Sequence, residues 1–207
     1  ILYDEFIHAS IRDGIRLSNA KAYSFKHNDL EDLNEKVLRM SQKGSSIYVV
    51  TESVFSMDGD SPDLVAMSQM LKTHNACLIV DEAHAIGVYG MNGCGLIQEL
   101  DLENDVFARI VTFGKALGCH GSAIIGTKEL KEYLVNFARS LIYTTALPPH
   151  SIATIKVAYE QLAIQNDSED SEIKKLYRNI QYFKSELRRH KIQQKFVESN
   201  SSIQCCI

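Results

Sequence analysis

The stretch ACLIVDEAHAIG at residues 76–87 decides the fold class, because an apolar run ends there in charged residues. Ala76–Val80 is almost wholly apolar, which is typical of a strand covered on both faces of a sheet. Further short strands are predicted over Ser46–Glu52, Ala108–Thr112 and Ser122–Ile125. Helical patterns separate most of these strands, so the alternation predicts an α/β fold with a mainly parallel sheet. The close succession of the last two strands allows a local reversal of direction.

Capping residues give the predicted starts of the helices. Asn28–Glu31 forms a capping-box pattern, with Asn28 as the cap, for a helix that ends near Gly44. Ser61-Pro62 starts the next helix, with Ser as cap and Pro in the first turn. The remaining helices are predicted over Thr127–Arg139, Ser151–Ala163 and Ser168–Arg189, with a polar break at Gln165–Asp170 between the last two.

The composition excludes several classes of protein. With 207 residues, 45% of them hydrophobic and 23% charged, the chain has the composition of a globular protein with a sizeable core. A net charge of −4 offers no basic surface for nucleic acid or an anionic membrane, and no run approaches the ~20 apolar residues of a membrane span. The five cysteines have no zinc-site spacing. Their odd number, in a sequence that shows no export signal, predicts a reducing, cytoplasmic compartment. A chain that begins at Ile1 without Met is expected to be a piece of a longer protein.

The tetrapeptide Asp81–His84 (DEAH) also occurs as the Mg²⁺-binding element of helicase-type ATPases. That function requires an upstream phosphate loop of the form GxxxxGK[ST]. The Gly114-Lys115 pair follows DEAH instead, with Ala116 in place of Ser or Thr and Arg109 in place of the first Gly. We therefore reject the ATPase interpretation.

A lysine and three other side chains follow two neighbouring strands. Lys115 lies in an apolar, Gly-rich loop, where partial desolvation lowers the pKa of an amine and allows it to form a Schiff base. Thr112 and nearby N–H groups could hold a phosphate. Asp81 and His84 follow the adjacent strand, and a carboxylate beside such a lysine suits pyridoxal phosphate. Taken singly, Lys115 could be a surface lysine in a turn, Asp81 a helix cap and His84 a loop histidine; their combination favours the cofactor.

These motifs, in this order and spacing, resemble the α-oxoamine synthases. The members of that family are fold-type I pyridoxal-phosphate enzymes that condense an amino acid with an acyl thioester. The resemblance covers nearly all of this chain but only the middle of the family's longer chain. The segments that carry it are Ile7–Ser10, His27–Asp29, Thr51–Asp60 (TESVFSMDGD), Asp81–Gly95, Thr112–Gly118 and Leu141–Pro149 (LIYTTALPP).

The resemblance implies catalytic roles for four residues. Lys115 would hold the cofactor through a Schiff base and later move protons at the substrate α-carbon. Asp81 would pair with the pyridinium nitrogen and His84 would hydrogen-bond the phenolic oxygen. His8 would stack on one face of the ring, which leaves the other face free for proton transfer and acyl attack.

The same resemblance implies further binding residues and an assembly. Ser56 and Thr112 would contribute to the phosphate or ring pocket. Tyr143 and Thr144 lie in a segment that would approach a cofactor site, either that of the same chain or that of the partner subunit in a homodimer. His27 is expected to be a structural or capping residue.

The resemblance also implies a domain organisation. Residues 1–148 would form part of the large pyridoxal-phosphate-binding domain of the aspartate aminotransferase type. Residues 149–207 would comprise linking helices and the start of a truncated small α+β domain. The ending Ser202–Ile207 is expected to begin a strand of that domain.

Within the family, the Thr112–Gly118 loop, the run Ser56–Asp60 and the His120–Ala123 stretch most resemble one branch. Its members join L-alanine to a pimeloyl thioester, carried on CoA or a carrier protein, with loss of CO₂, in biotin synthesis. Branches that make a serine–palmitoyl product or 2-amino-3-ketobutyrate stay as alternatives. A non-catalytic subunit of the same fold is expected to have lost the lysine, and Lys115 is present.

Overall fold

The structure, a computed structural model, describes residues 1–42, 44–165, 168 and 170–207. One six-stranded sheet forms its centre. The strands are β1 (Leu2–Asp4), β2 (Tyr23–Phe25), β3 (Tyr48–Glu52), β4 (Cys77–Asp81), β5 (Ala108–Thr112) and β6 (Ser122–Gly126). Their order across the sheet is β2-β1-β3-β4-β5-β6, and every pair is parallel except β5 with β6. The predicted α/β class, the mainly parallel sheet and the local reversal are confirmed.

Helices connect the strands and continue after the sheet. They are α1 (Ala9–Leu17), α2 (Leu30–Ser41), α3 (Leu64–Thr73), α4 (Leu96–Glu99), α5 (Lys128–Phe137), α6 (Arg139–Ile142), α7 (Pro149–Gln165) and α8 (Glu172–Arg189). Short 3₁₀ helices span Met91–Gly93 and Gln193–Lys195. Residues 166, 167 and 169 of the predicted polar break lie outside the described residues. Of the helices that the structure describes, none is both long and apolar enough to cross a bilayer.

Two predicted helix caps are wrong by one or two residues. The cap of α2 is Asp29, whose side chain accepts the N–H of Asp32, whereas Asn28 has a left-handed backbone with φ 51°. An N-cap residue normally has an extended backbone, so Asn28 belongs to the preceding turn. The cap of α3 is Asp63 rather than Ser61, and its side chain accepts the N–H of Ala66. Thr127 caps α5 as predicted.

Apolar side chains form two buried clusters against the sheet. In the larger cluster, α2 buries Leu33 and Val37 beside β1 and β2, and α3 buries Met67 beside β4. A second, smaller cluster joins Ile86, Val111 and Phe113, and Ile155 of α7 packs against it. The strand register places Leu78, Val80 and Val111 on the same face, where all three are buried. On the other face, Cys77, Ile79 and Ile110 are half-buried.

The C-terminal segment contacts the loop after β3. Ser199 donates its hydroxyl to the carbonyl oxygen of Gly59 at 2.7 Å. Gly59 has φ +77°, and a Cβ there would lie 2.5 Å from the carbonyl oxygen of Ile203. The expected strand at Ser202–Ile207 is present only as an isolated bridge between Phe196 and Cys206.

His27 has the structural role that the sequence predicts. Its ring stacks on Phe6 with centroids 4.3 Å apart and meets the ring of Phe55 edge-on. Its two ring nitrogens lie 2.9 Å from carboxylate oxygens of Asp4 and Asp60. The imidazole therefore joins the end of β1 to the loop after β3.

Candidate active site

A cavity of about 460 Å³ opens at the carboxyl ends of β3, β4 and β5. In open α/β sheets this edge is where ligands bind. The side chains that line the cavity carry an amine, carboxylates, hydroxyls and imidazoles, and two glycines expose backbone to it. Its lining consists of His8, Ser10, Glu52, Asp81, Ala83, Thr112, Gly114, Lys115, His120 and Gly121.

The register of the strands brings three of these side chains to one face. Glu52 pairs with Asp81 across β3 and β4, and Asp81 pairs with Ile110 across β4 and β5. Thr112 lies two residues beyond Ile110 on the same strand. Because side chains alternate between the faces of a sheet, Glu52, Asp81 and Thr112 all point to the same side.

Asp81 is a buried carboxylate at the floor of the cavity, with 8% of its surface exposed. Its Oδ1 accepts a hydrogen bond from the backbone N–H of Ala83 at 2.8 Å, which fixes its orientation. Burial raises the pKa of the carboxyl group, while this N–H and the positive charges of Lys115 and His8 act in the opposite direction. A cation placed against Asp81 would favour the ionised form further.

Lys115 lies in the turn after β5. The turn is closed by two backbone hydrogen bonds, from Gly118 N–H to the Lys115 carbonyl at 3.0 Å and from Cys119 N–H to the Phe113 carbonyl at 2.7 Å. Partial burial lowers the pKa of the ammonium group, and the carboxylates of Asp81 and Glu52 partly oppose that shift. The neutral amine is therefore more populated here than on an exposed lysine.

Two histidines flank these groups. His8 is the N-cap of α1, and its Nδ1 accepts the backbone N–H of Ser10 at 3.2 Å and lies 2.8 Å from the Ser10 hydroxyl. His84 is half-buried beside the lining residue Ala83. Burial, together with the charges of Lys115 and His8, lowers the pKa of His84 to about 4, so its imidazole is neutral at physiological pH.

The structure places the two predicted pocket hydroxyls differently. The Oγ1 of Thr112 lines the cavity, is buried and has no hydrogen-bond partner among the described residues. Ser56 lies just outside the lining, and its backbone N–H faces Glu52. Of the six predicted site residues, His8, Asp81, Thr112 and Lys115 thus share the cavity, while His84 and Ser56 adjoin it.

The whole chain matches one protein-family model. The model for aminotransferase class I and II matches residues 1–207 of the chain. The chain belongs to this family.

Curated members of this family support a narrower resemblance. A provisionally named 8-amino-7-oxononanoate synthase of Glaesserella parasuis is 45% identical over 163 residues, which is 78% of this chain and 43% of that protein. A second one from Bacillus cereus is 42% identical over 189 residues, covering 91% of this chain and 47% of that protein. The chain spans about half the length of the curated relatives it matches.

Solved structures of this family give the same result. A serine palmitoyltransferase from S. paucimobilis, solved with a bound PLP–myriocin aldimine, superposes with a TM-score of 0.88 at 30% identity, covering 100% of this chain and 52% of that chain. The 8-amino-7-oxononanoate synthase of Francisella tularensis gives 0.76 at 34% identity, covering 92% and 53%. Both are α-oxoamine synthases, so the resemblance found in the sequence is confirmed, as is the aminotransferase-like fold.

The donor set at the cavity fits pyridoxal phosphate, the cofactor expected of this branch of the family. The hydroxyl of Thr112, which has no hydrogen-bond partner among the described residues, can bond a phosphate oxygen, and such a bond would remove the cost of an unsatisfied buried polar atom. Lys115 offers a partly desolvated amine, Asp81 a carboxylate for a cationic ring nitrogen, and His84 a neutral imidazole for a ring oxygen.

Glu52 is the main site residue that sequence reasoning missed. It is 3% exposed and lines the cavity beside Asp81. Glu52 ends the strand YVVTE as Asp81 ends CLIVD, so an acid at the same position of two adjacent parallel strands could have identified it. His120 also lines the cavity and was not singled out as a site residue.

The second acid of the DEAH sequence is structural. Glu82 is fully buried, and its Oε2 accepts the Nε–H of Arg109 at 2.6 Å, while its Oε1 accepts the Ile97 N–H at 3.0 Å. Arg109 also donates to the carbonyl oxygen of Cys94 at 2.8 Å. Glu82 is thus engaged in an internal ion pair and does not line the cavity, so Asp81 is the acid of this sequence that does.

Tyr143 and Thr144 do not reach this cavity. Both are exposed beyond the end of α6, and the guanidinium carbon of Arg139 lies 4.9 Å above the Tyr143 ring centroid. Their predicted role at a partner's site stays a prediction.

Proposed function

We propose that the intact protein is an α-oxoamine synthase that uses pyridoxal 5′-phosphate to condense an amino acid with an acyl thioester. The observation that carries this proposal is the meeting of Lys115, Asp81 and the unpartnered Thr112 hydroxyl in one cavity at the carboxyl edge of the sheet. The family membership of residues 1–207 supports it.

Each side chain has a role in the proposed reaction. When bound, the cofactor supplies an electron sink for a carbanion at the substrate α-carbon. Lys115 binds it and holds or returns the α-proton at its Nζ, for which a lowered pKa is suited. Asp81 keeps the ring nitrogen protonated by charge pairing. His84 hydrogen-bonds the ring oxygen as a neutral imidazole.

Three further residues orient the bound group in this proposal. The His8 ring, held at Nδ1 by Ser10, covers one face of the site and leaves the other for the acyl donor. Thr112 donates its free hydroxyl to the phosphate. Ser56 contributes to the same pocket from the loop after β3.

We assign L-alanine and a pimeloyl thioester, on CoA or a carrier protein, as the substrates and 8-amino-7-oxononanoate, a biotin precursor, as the product. The supporting observation is the identity of 42–45% to relatives that bear the name of that synthase. Serine palmitoyltransferase is the second candidate, because the TM-score of 0.88 over the whole chain favours it. 2-Amino-3-ketobutyrate CoA ligase stays as a further family alternative.

The proposal extends to the compartment, the oligomeric state and the domain organisation of the enzyme. We place it in the cytoplasm as a homodimer, in which Tyr143 and Thr144 approach the partner's site. Residues 1–148 form part of the cofactor-binding domain and residues 149–207 lead into the small domain. No membrane or nucleic-acid partner is assigned.

Borohydride trapping tests the cofactor and the lysine together. The intact protein is mixed with pyridoxal phosphate, reduced with borohydride and mapped by peptide mass spectrometry. We expect a phosphopyridoxyl group on Lys115. Labelling spread over exposed lysines such as Lys128 and Lys156, with none on Lys115, would contradict the proposal.

Product analysis then separates the substrate pairs. The holoenzyme is given L-alanine with pimeloyl-CoA, L-serine with palmitoyl-CoA, and glycine with acetyl-CoA, and the products are identified by mass. We expect 8-amino-7-oxononanoate from the first pair. A long-chain keto product from the second pair would instead assign serine palmitoyltransferase.

A further inference from the structure

Glu52 is a buried acid without a role in the mechanism proposed above. It ends β3, is 3% exposed and lines the cavity between His8 and Asp81. Its Oε1 is buried and makes no hydrogen bond within the part of the chain that the structure describes. A carboxyl group kept in such a place costs stability, so its presence calls for a functional explanation.

The backbone around Glu52 connects it to two predicted site residues. The N–H groups of His8 and Ser56 both face its carboxyl group. His8 starts α1, and Ser56 lies in the loop after β3, so the two segments come from different parts of the chain. The Glu52 carboxyl group therefore lies close to the backbone of both segments at the cavity.

Charged groups face Glu52 from each of the elements that surround it. Asp81 faces it from β4, Lys115 from the turn after β5 and His8 from the start of α1, while His84 and His120 are the other titratable groups at the cavity. Burial and the charge of Asp81 raise the pKa of Glu52 to about 7, against the opposing effect of the His8 and Ser56 N–H groups and Lys115. When Glu52 ionises, its charge raises the pKa of Lys115.

We propose that Glu52 is a positioning residue of this site, which orients the backbone at His8 and Ser56 and sets the charge that Lys115 faces. The inference rests on the proposed function, because it concerns the lysine that binds the cofactor there. A neutral Glu52 leaves Asp81 as the single anion at the floor of the cavity, whereas an ionised Glu52 adds a second anion that favours the protonated form of Lys115.

The test measures the reactivity of Lys115 in the intact protein. The rate of borohydride-trapped labelling with limiting pyridoxal phosphate is followed from about pH 5 to pH 9 in wild type, Glu52→Gln and Glu52→Asp. Glu103→Gln, an exposed acid remote from the cavity lining, is the matched control.

Below about pH 7 the wild type and Glu52→Gln are expected to label Lys115 equally, because both carry a neutral group at position 52. Above it, Glu52→Gln labels about three to ten times faster, since the wild-type carboxylate holds a proton on the lysine. Glu52→Asp retains the charge and follows wild type, as does Glu103→Gln. Identical profiles for wild type and Glu52→Gln overturn the charge role.

Hydrogen exchange tests the orienting role separately. We expect the amides of His8 and Ser56 to exchange about ten times faster in Glu52→Ala than in wild type, with no change in Glu103→Gln. Unchanged exchange at both amides overturns this role. If the Gln and Ala variants fail to fold, the wild-type labelling profile decides, because it must deviate from a single-lysine curve near pH 7. Absence of any label on Lys115 in the wild type contradicts the proposed function instead.

Discussion

Replacing Glu82 by Gln is expected to destabilise the protein strongly, because it leaves the guanidinium of Arg109 buried without its anion. Glu82 is fully buried and Arg109 is 7% exposed. Two nitrogens of Arg109, Nε and Nη2, contact the same carboxylate oxygen, and Nη2 also reaches the Cys94 carbonyl. The other carboxylate oxygen accepts the N–H of Ile97.

The size of the effect follows from burial. Removing one partner of a buried ion pair typically costs about 3–5 kcal/mol, because the remaining charge is left uncompensated. Gln retains one acceptor, but its amide N–H groups would face the donors of Arg109 or of Ile97. We therefore expect the free energy of unfolding to fall by about 3–5 kcal/mol in Glu82→Gln. The matched control is Glu35→Gln, which breaks the exposed Glu35–Arg39 pair and should cost less than about 1 kcal/mol.

Urea denaturation of the intact protein, followed by circular dichroism, measures both changes. A double variant, Glu82→Gln with Arg109→Met, removes the stranded charge and should recover at least about 1 kcal/mol relative to Glu82→Gln alone. The reasoning is refuted if Glu82→Gln unfolds at the same urea concentration as Glu35→Gln. It is also refuted if the double variant is less stable than Glu82→Gln.

Three further predictions concern the site directly. Lys115→Ala should remove the trapped cofactor label and lower turnover at least about 100-fold, measured by peptide mapping and product formation. Histidine NMR should give His84 a pKa of about 4 rather than 6.5, so the unfolded chain binds this proton first and stability falls as pH drops below 6.5. Gly87→Ala should cost about 1–3 kcal/mol in urea, because φ is +79° and its Cβ would lie 2.8 Å from Ala116 Cβ. Gly14→Ala, with nothing within 4 Å, should not destabilise.

The four five-residue strands were predictable and the two three-residue strands were not. Apolar, β-branched runs identified β3 to β6 to within about two residues. β3, β4 and β5 lie inside the sheet and are largely buried, whereas β6 is an edge strand with four of its five residues exposed. β1 and β2 have three residues each, and β2 shows two exposed positions in three, so neither has a detectable period. Their pairing depends on contacts between distant parts of the chain rather than on local sequence.

Site residues that directly follow a strand in the sequence were predictable. A site residue whose position depends on how two strands pair was missed. The residue types that directly follow two predicted strands were enough to identify Lys115, Asp81 and His84 as site residues. Glu52 was missed because a glutamate at a strand end is unremarkable until the strand is aligned with its neighbour. The error at Asn28 has a comparable cause, since its left-handed backbone is set by a contact from its side chain to Asp60 and from its N–H to Asp4.

The alternation of side chains along β4 explains why one short sequence supplies both chemistry and stability. Asp81 pairs with Ile110 and faces the cavity with Glu52 and Thr112. Glu82, the next residue, turns to the opposite side and pairs with Arg109, which precedes Ile110 on β5. A shift of one residue in this register would exchange the two acids, placing Glu82 at the cavity and Asp81 on the side of Arg109. The Glu82–Arg109 pair therefore fixes the register on which the position of Asp81 depends, which is why its loss should affect both stability and the labelling of the site.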